Sequence, residues 1–301
     1  MKELHEYRRF MQKEELHKSL NSLVGILSGV VADGHVTEAE RNEIQNWYAL
    51  HKFLINKHPF QEILPLIHGA LADGVLEIDE VEDILWLCQH FLDCHSKELY
   101  FNLVTNKIQQ LEGMLHGIIT DGEISDDEIA NLSAWLNDND FLGGVYPFDE
   151  VYSLLLAAKE DGIVTADERN MLKAFFATFV DTRESYNIHE DDVAALQKQY
   201  SIGGICAVCP EIAIKGKTFC FTGASKRATR SSIAAIISEH GGTYNDRVTT
   251  DTDYLIVGAD GNPCWAFSCY GRKVEKAVDL RKSGHHIVIV HEYDFWDEVG
   301  Q

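Results

Sequence analysis

Nowhere in its 301 residues does the chain carry even 18 consecutive apolar positions, so no segment reads as a membrane-crossing helix. The opening MKELHEYRRFMQKEE has charge but no apolar core, which excludes the pattern of a secretory signal peptide. Cysteine is sparse: seven residues, an odd number, spread over a long chain, so a secreted disulfide framework is not expected and a reducing, cytoplasmic setting is. Catalytic signatures are missing as well, with no phosphate-loop lysine motif, no G-x-S-x-G and no H-E-x-x-H. A non-enzymatic protein without a cofactor is the expectation. Positive charge is scarce in the first 210 residues, where 15 Lys/Arg stand against 36 Asp/Glu, whereas residues 211–301 are near neutral at 11 against 12. The net charge of −22 therefore belongs almost wholly to the first part, which should repel nucleic acid.

What is present first is recurrence. VVADGHVTEAE (30–40), ALADGVLEIDE (70–80), IITDGEISDDE (118–128) and AKEDGIVTADE (158–168) share an Asp-Gly, an aliphatic residue two positions after the Gly and a Glu seven after the Asp. The Asp-Gly pairs begin at 33, 73, 121 and 161, which reads as a helical hairpin pair copied once. Apolar residues at helical spacing flank each turn, as with Leu23, Ile26, Leu27 and Val30 before the first and Ile44 and Trp47 after it. Gly ends one helix. Thr37, Ser125 and Thr165 cap the next, with Glu40, Glu128 and Glu168 completing capping boxes, while Glu77 in the second copy predicts a weaker cap. The expectation is an all-helical bundle over residues 1–182, with about eight core helices plus an N-terminal one.

The same spacing overlaps a calcium-binding EF-hand loop, but the two positions that should begin the ligand set are Gly29 and Val31, Gly69 and Leu71, Gly117 and Ile119, and Ala157 and Lys159. Turn plus cap is the better reading. The A-D-G-x-(I/V/L)-(T/S)-x-x-E pattern resembles TerB-like helical domains, here in tandem over about residues 20–182. That resemblance implies a docking platform for a basic or protein partner, and in some members a metal-linked stress response.

Residues 183–211 read as a linker with one short helix, HEDDVAALQKQY (189–200), and the pair Cys206-x-x-Cys209. Tetrahedral zinc wants four ligands, so Cys206 and Cys209 with Cys264 and Cys269 are only weak metal candidates. Ordinary packing or tethering is the better reading, with a redox pair as a further alternative.

From 212 to 301 the pattern changes to α/β. KTFCFT (217–222), a strand begun by TYND, DYLIVG (253–258) and HIVIV (286–290) read as strands, and TRSSIAAIISEH (229–240), RKVEKAVDLRKS (272–283) and HEYDFWDEV (291–299) as helices. This order implies a small four-stranded parallel sheet covered by helices. Thr222 and Gly223 close the first strand, and Arg230 sits in the first turn of the next helix, where the helix dipole disfavours a cation. Arg272, Lys273 and Lys276 repeat the oddity at a second helix start, and Lys226 and Arg227 lie in the loop before the first. A phosphate held at the carboxyl end of the strands would resolve the conflict.

G-K-T-F-C-F-T-G (216–223), H-G-G (240–242), T-x-x-T-D-Y-L-I-V-G (249–258), G-R-K-V-E-K-A (271–277) and Phe295 together resemble a BRCT domain, of the type in NAD-dependent DNA ligases and the large subunit of replication factor C. The resemblance implies that Thr222, Gly223 and Lys273 hold phosphate and that Arg230 contacts a 5′-phosphate on duplex DNA. The ligase adenylation motif is absent. The implied function is an adaptor, binding a phosphorylated DNA end through the BRCT domain and a partner through the acidic half. The alternatives are a scaffold that recognises a phosphoprotein or dimerises, and metal-linked stress sensing. Trp265, Phe267 and Tyr270 could stack on a base or close the core.

Overall fold

The computed structural model describes residues 2–94, 101–159, 162–199, 206–207, 210–225, 227–259 and 272–300. Two compact units emerge: residues 1–135 with 166–200, and residues 136–165 with 201–301. The second unit thus takes in a stretch of the acidic helical half as well as the whole C-terminal region.

The helical half runs α1 Lys2–Val30, α2 Glu38–His51, α3 Phe60–Ala70, α4 Ile78–Cys94, α5 Leu103–Ile119, α6 Asp126–Asp138, α7 Phe148–Ala158, α8 Ala166–Phe176 and α9 Glu190–Gln199. The N-terminal helix expected ahead of the core is not a separate element; with no Gly or Pro between the two segments, α1 continues unbroken for 29 residues. The turns form as their residues dictate. Gly34, Gly74, Gly122 and Gly162 all take positive φ, between 80° and 88°. Asp33, Asp73 and Asp121 each accept the backbone N–H two residues on, from His35, Val75 and Glu123. Thr37 and Ser125 then close full capping boxes: Glu40 N donates to Thr37 Oγ1 at 3.2 Å, Thr37 N to the Glu40 carboxylate at 2.6 Å, and Ser125 with Glu128 repeats this at 3.1 and 2.6 Å. At the second turn, where no hydroxyl is available, Glu77 N reaches Glu80 at 3.0 Å and only this half of the box forms.

The first unit is organised by the crossing of α1 and α5. Gly25 and Gly29 on one helix meet Gly113 and Gly117 on the other so closely that a Cβ on Gly25 would stand 2.2 Å from the Gln110 carbonyl oxygen, and one on Gly117 2.4 Å from that of Ile26. Only glycine permits backbones at this range. Beside the crossing, Asn21 Nδ2 donates to Asn106 Oδ1 (2.8 Å), and Gln110 Nε2 to Asn21 Oδ1 (3.2 Å), which satisfies the buried amides. Leu23, Leu27, Ile44, Phe60, Ile63, Ile67 and Ile84 fill the core between α1, α2, α3 and α4. Several features return 88 residues further on, from Thr37 to Ser125, from Gly25 to Gly113, and from Pro59 to Pro147 at the starts of α3 and α7.

Glu43 is buried in this unit and collects five donors from 185–187 and α5: Ser185 Oγ, the backbone N–H groups of Tyr186 and Asn187, Asn187 Nδ2, and His116 Nε2 at 3.1 Å. Burial pushes its carboxyl up, but His116 and those N–H groups outweigh that and hold it below the usual carboxylate range. The segment after α8 is thereby pinned to α2.

In the C-terminal region β1 Thr218–Thr222, α10 Arg230–Glu239, β2 Thr243–Tyr244, β3 Tyr254–Val257, α11 Arg272–Lys282, β4 Val288–His291 and α12 Glu292–Glu298 follow in order. The sheet is four-stranded and parallel throughout, ordered β2-β1-β3-β4. Leu255 and Val257 of β3 face α11, among Val274, Ala277 and Leu280, whereas Tyr254 and Ile256 join Ile233 and Ile237 of α10 and Phe295 and Trp296 of α12. Alternation on a strand buried on both faces explains why YLIV is apolar throughout. The β1 and β3 carboxyl ends therefore open on one edge, between the starts of α10 and α11.

Candidate functional site

Thr222 ends β1 and pairs with Val257 at the end of β3. Gly223 follows at φ 80°, and its neighbour across the sheet is Gly258, where a Cβ would come within 2.3 Å of the Ala224 carbonyl oxygen. Two glycines are thus required to fold the β1 turn flat against the end of β3. Thr229 caps α10, its hydroxyl accepting Ser232 N at 3.2 Å. That places Arg230 as the first helical residue, and its guanidinium turns back to donate to the Gly223 carbonyl oxygen at 3.1 Å. From α11, Lys273 Nζ donates to the Phe221 carbonyl oxygen at 2.9 Å. The two cations thereby converge on the carbonyls either side of Thr222. Their positive ends stand beside the first turns of two helices, whose free N–H groups add to the attraction for an anion.

The other cations are distributed differently. The Arg227 guanidinium lies 5.7 Å from the centroid of the Trp296 ring, on α12, a cation–π contact. Lys276 is exposed one turn along α11 from Lys273. Lys226, the Arg272 side chain and the loop aromatics Trp265, Phe267 and Tyr270 lie outside the described residues. Sequence reasoning missed Asp246, just past β2, whose charge acts on both Cys220 and Tyr244. Burial, with Asp246 adding to it, pushes the Tyr244 phenol up to about 12, against Arg230, so it stays neutral at the rim. Glu292 was missed too: buried at the head of α12, it accepts Ala259 N at 2.6 Å and Trp296 Nε1 at 3.2 Å, and so ties down the chain leaving β3.

Residues 210–292 match the BRCA1 C Terminus (BRCT) domain family. The C-terminal unit is built around a BRCT domain. It is homologous to the BRCT domains of bacterial DNA ligases: the DNA ligase of Chlamydia caviae is 35% identical over 115 residues, 37% of this chain and 15% of that enzyme. That of Petrotoga mobilis is 34% identical over 88 residues, 29% of this chain and 11% of the enzyme. That of Aquifex aeolicus is 45% identical over 47 residues, 16% of the chain and 6% of the enzyme. The chain therefore spans only a small part of the length of these ligases. No solved structure matches it significantly.

The BRCT domain is not closed by its own residues alone. Arg281, in the last turn of α11, is 3% exposed and forms a bidentate pair with Glu150 of α7, Nε to Oε1 at 2.6 Å and Nη2 to Oε2 at 3.0 Å. Asp149 Oδ2 stands 3.3 Å from the same Nη2, and the carbonyl oxygens of Gly144 and Ile287 take Nη1. Burial pushes both carboxyls up and Arg281 opposes it. Arg281 falls at i+4 from Ala277 and i+7 from Val274, on the buried stripe of α11, a signal the sequence did contain.

The zinc reading of the cysteines is corrected for Cys206, which is buried and disulfide-bonded, so its sulfur carries no free thiolate for a metal. Cys209, Cys264 and Cys269 lie outside the described residues. Among the described residues no group of three or more His, Cys, Asp or Glu is placed to hold a metal ion, and no helix is long and apolar enough to cross a membrane.

Proposed function

We propose that this protein is a non-enzymatic adaptor whose BRCT domain holds a phosphate, that of a 5′-phosphorylated DNA end, at Thr222 and Gly223 between Arg230 and Lys273. One observation carries the reading: two helix-opening cations, from α10 and α11, both reach the carbonyls flanking Thr222. A cation at a helix start opposes the helix dipole, and an anion seated there offsets that cost. An arriving phosphate would draw both cations from neutral carbonyl oxygens to anionic oxygens, adding ion pairing to the hydrogen bonds. The DNA assignment rests on the homologous domains belonging to DNA ligases. The acidic helical half, read as a duplicated TerB-like bundle in keeping with the 88-residue recurrence, would dock a basic protein partner, because its charge repels DNA.

The test uses the full chain with duplexes bearing a 5′-phosphate or a 5′-hydroxyl, across a salt series. Preference for the phosphorylated end is expected, with a shallow salt slope because few phosphates are engaged, and Lys273→Glu should abolish the preference. Equal binding to both ends refutes the DNA-end reading. A preference for phosphopeptide over either duplex would assign the same seat to a phosphoprotein.

A further inference from the structure

On the first unit, α1, α2, α5 and the segment following α8 enclose an open groove of about 490 Å³. One wall is apolar: Trp47, Leu50, Phe53, Leu54 and Phe179. Two of these are displayed to solvent, Phe53 at 71% and Leu50 at 42% exposure, whereas Leu54 and Trp47 are buried. The same lining also carries Glu15, Glu43, Glu112, Asp181 and Glu184. The only lysine among the described lining residues is Lys18, whose charge already acts on both Glu112 and Asp181.

Not every carboxylate there is free to recruit. Glu43 is spent on its five internal donors, and Asp181 accepts Nε and Nη2 of Arg183. Glu15, Glu112 and Glu184 remain, lining the same groove as the apolar residues. The groove is held open rather than improvised, because the anchoring of 185–187 to Glu43, together with Asn46 Nδ2 donating to the Glu184 carbonyl oxygen at 2.6 Å, fixes the acidic rim against α2.

We propose that this groove, resting on the reading of the acidic half as a docking platform, binds a cationic peptide segment in which a large apolar side chain is flanked by lysine or arginine. The apolar residue seats against Phe53, Leu50 and Trp47 while the flanking cations meet Glu15, Glu112 and Glu184. Charge complementarity selects this occupant: an acidic segment or a nucleic acid meets a wall of like charge. A purely apolar segment leaves the carboxylates unanswered, and a purely cationic one forfeits the exposed aromatic wall.

Fluorescence anisotropy on the full chain tests this with a labelled synthetic Lys/Phe/Leu peptide and its isomer with every Lys replaced by Glu. The cationic peptide is expected to bind and the Glu isomer not to. Because Phe53 and Leu50 are exposed, Phe53→Ser with Leu50→Ser leaves the fold intact and should weaken binding about tenfold or more, since the peptide's apolar side chain then has little to bury against. Glu112→Gln with Glu184→Gln should weaken it and flatten its salt dependence, whereas Trp86→Ser, at a side chain of this unit 63% exposed outside the groove, should leave it unchanged. Binding that survives the groove variants but falls with Trp86→Ser or with general loss of acidic charge overturns the groove and leaves acidic docking standing. Absence of binding by the cationic peptide overturns both.

Discussion

Glu40 and Glu128 each close a complete capping box and are 2% and 5% exposed. Burial, with added repulsion from Asp33 and Asp121, raises Glu40 from the ordinary 4.5 to about 7 and Glu128 to about 8, despite the Thr37 and Ser125 bonds that favour the charged form. The folded chain therefore holds these protons more tightly than the unfolded one. In the window between pH 4.5 and about 7 to 8 the native state binds more protons, so stability falls as pH rises and levels off above it. At about 1.4 kcal/mol per pH unit, Glu40 alone costs about 3 kcal/mol once fully ionised. Gln at the third helical position keeps the capping box, so Glu40→Gln should match the parent at pH 5 and exceed it by about 3 kcal/mol at pH 8.5, on the order of 6–12 °C in melting temperature. Thermal melts of both proteins across pH 5 to 9 decide it. A parent whose melting temperature is flat over that range, or a variant no more stable at pH 8.5, refutes the burial argument.

Arg281→Met leaves two buried carboxylates without their cation and should destabilise the chain by about 3–5 kcal/mol, while adding Glu150→Gln and Asp149→Asn should recover most of the loss; chemical denaturation of the single and combined variants measures this. Gly117→Ala drives a methyl into the Ile26 carbonyl at the α1–α5 crossing and should cost about 1–3 kcal/mol, read as a lower melting temperature, whereas Gly69→Ala, with open space around it and a helical backbone, should be neutral or stabilising. Thr37→Ala removes a cap that Glu77 never had and should cost about 1 kcal/mol, again by thermal melts. Arg230→Met should reduce the magnitude of the salt slope for any phosphorylated-end binding by about one without altering the fold.

The local features were legible because their causes are local. A Thr with a Glu three residues on, a Gly after an Asp, and an apolar run ending in Thr222-Gly223 each specify geometry within a few residues, and Arg230 could be placed from Thr229 alone. The α1–α5 contact was equally written, as Gly25-x-x-x-Gly29 and Gly113-x-x-x-Gly117, but spacing on one helix does not name the helix that meets it. Arg281 stayed hidden because Arg281-Lys282 at a helix end looks like solvated charge, and its place on the Val274–Ala277 stripe does not name a partner 131 residues away. Asp246 and Glu292 were opaque for the same reason: Cys220 and Ala259, the groups they act on, lie far from them in sequence and come to them through the folded sheet.

The bond between Glu150 and Arg281 also sets an order in time. As the chain is synthesised, the carboxylates of α7 emerge long before the guanidinium that neutralises them, and until then they must stay hydrated, since dry burial of unpaired anions is prohibitive. The 136–165 stretch consequently cannot reach its final packing on its own, and completion of this unit waits until α11 has left the ribosome.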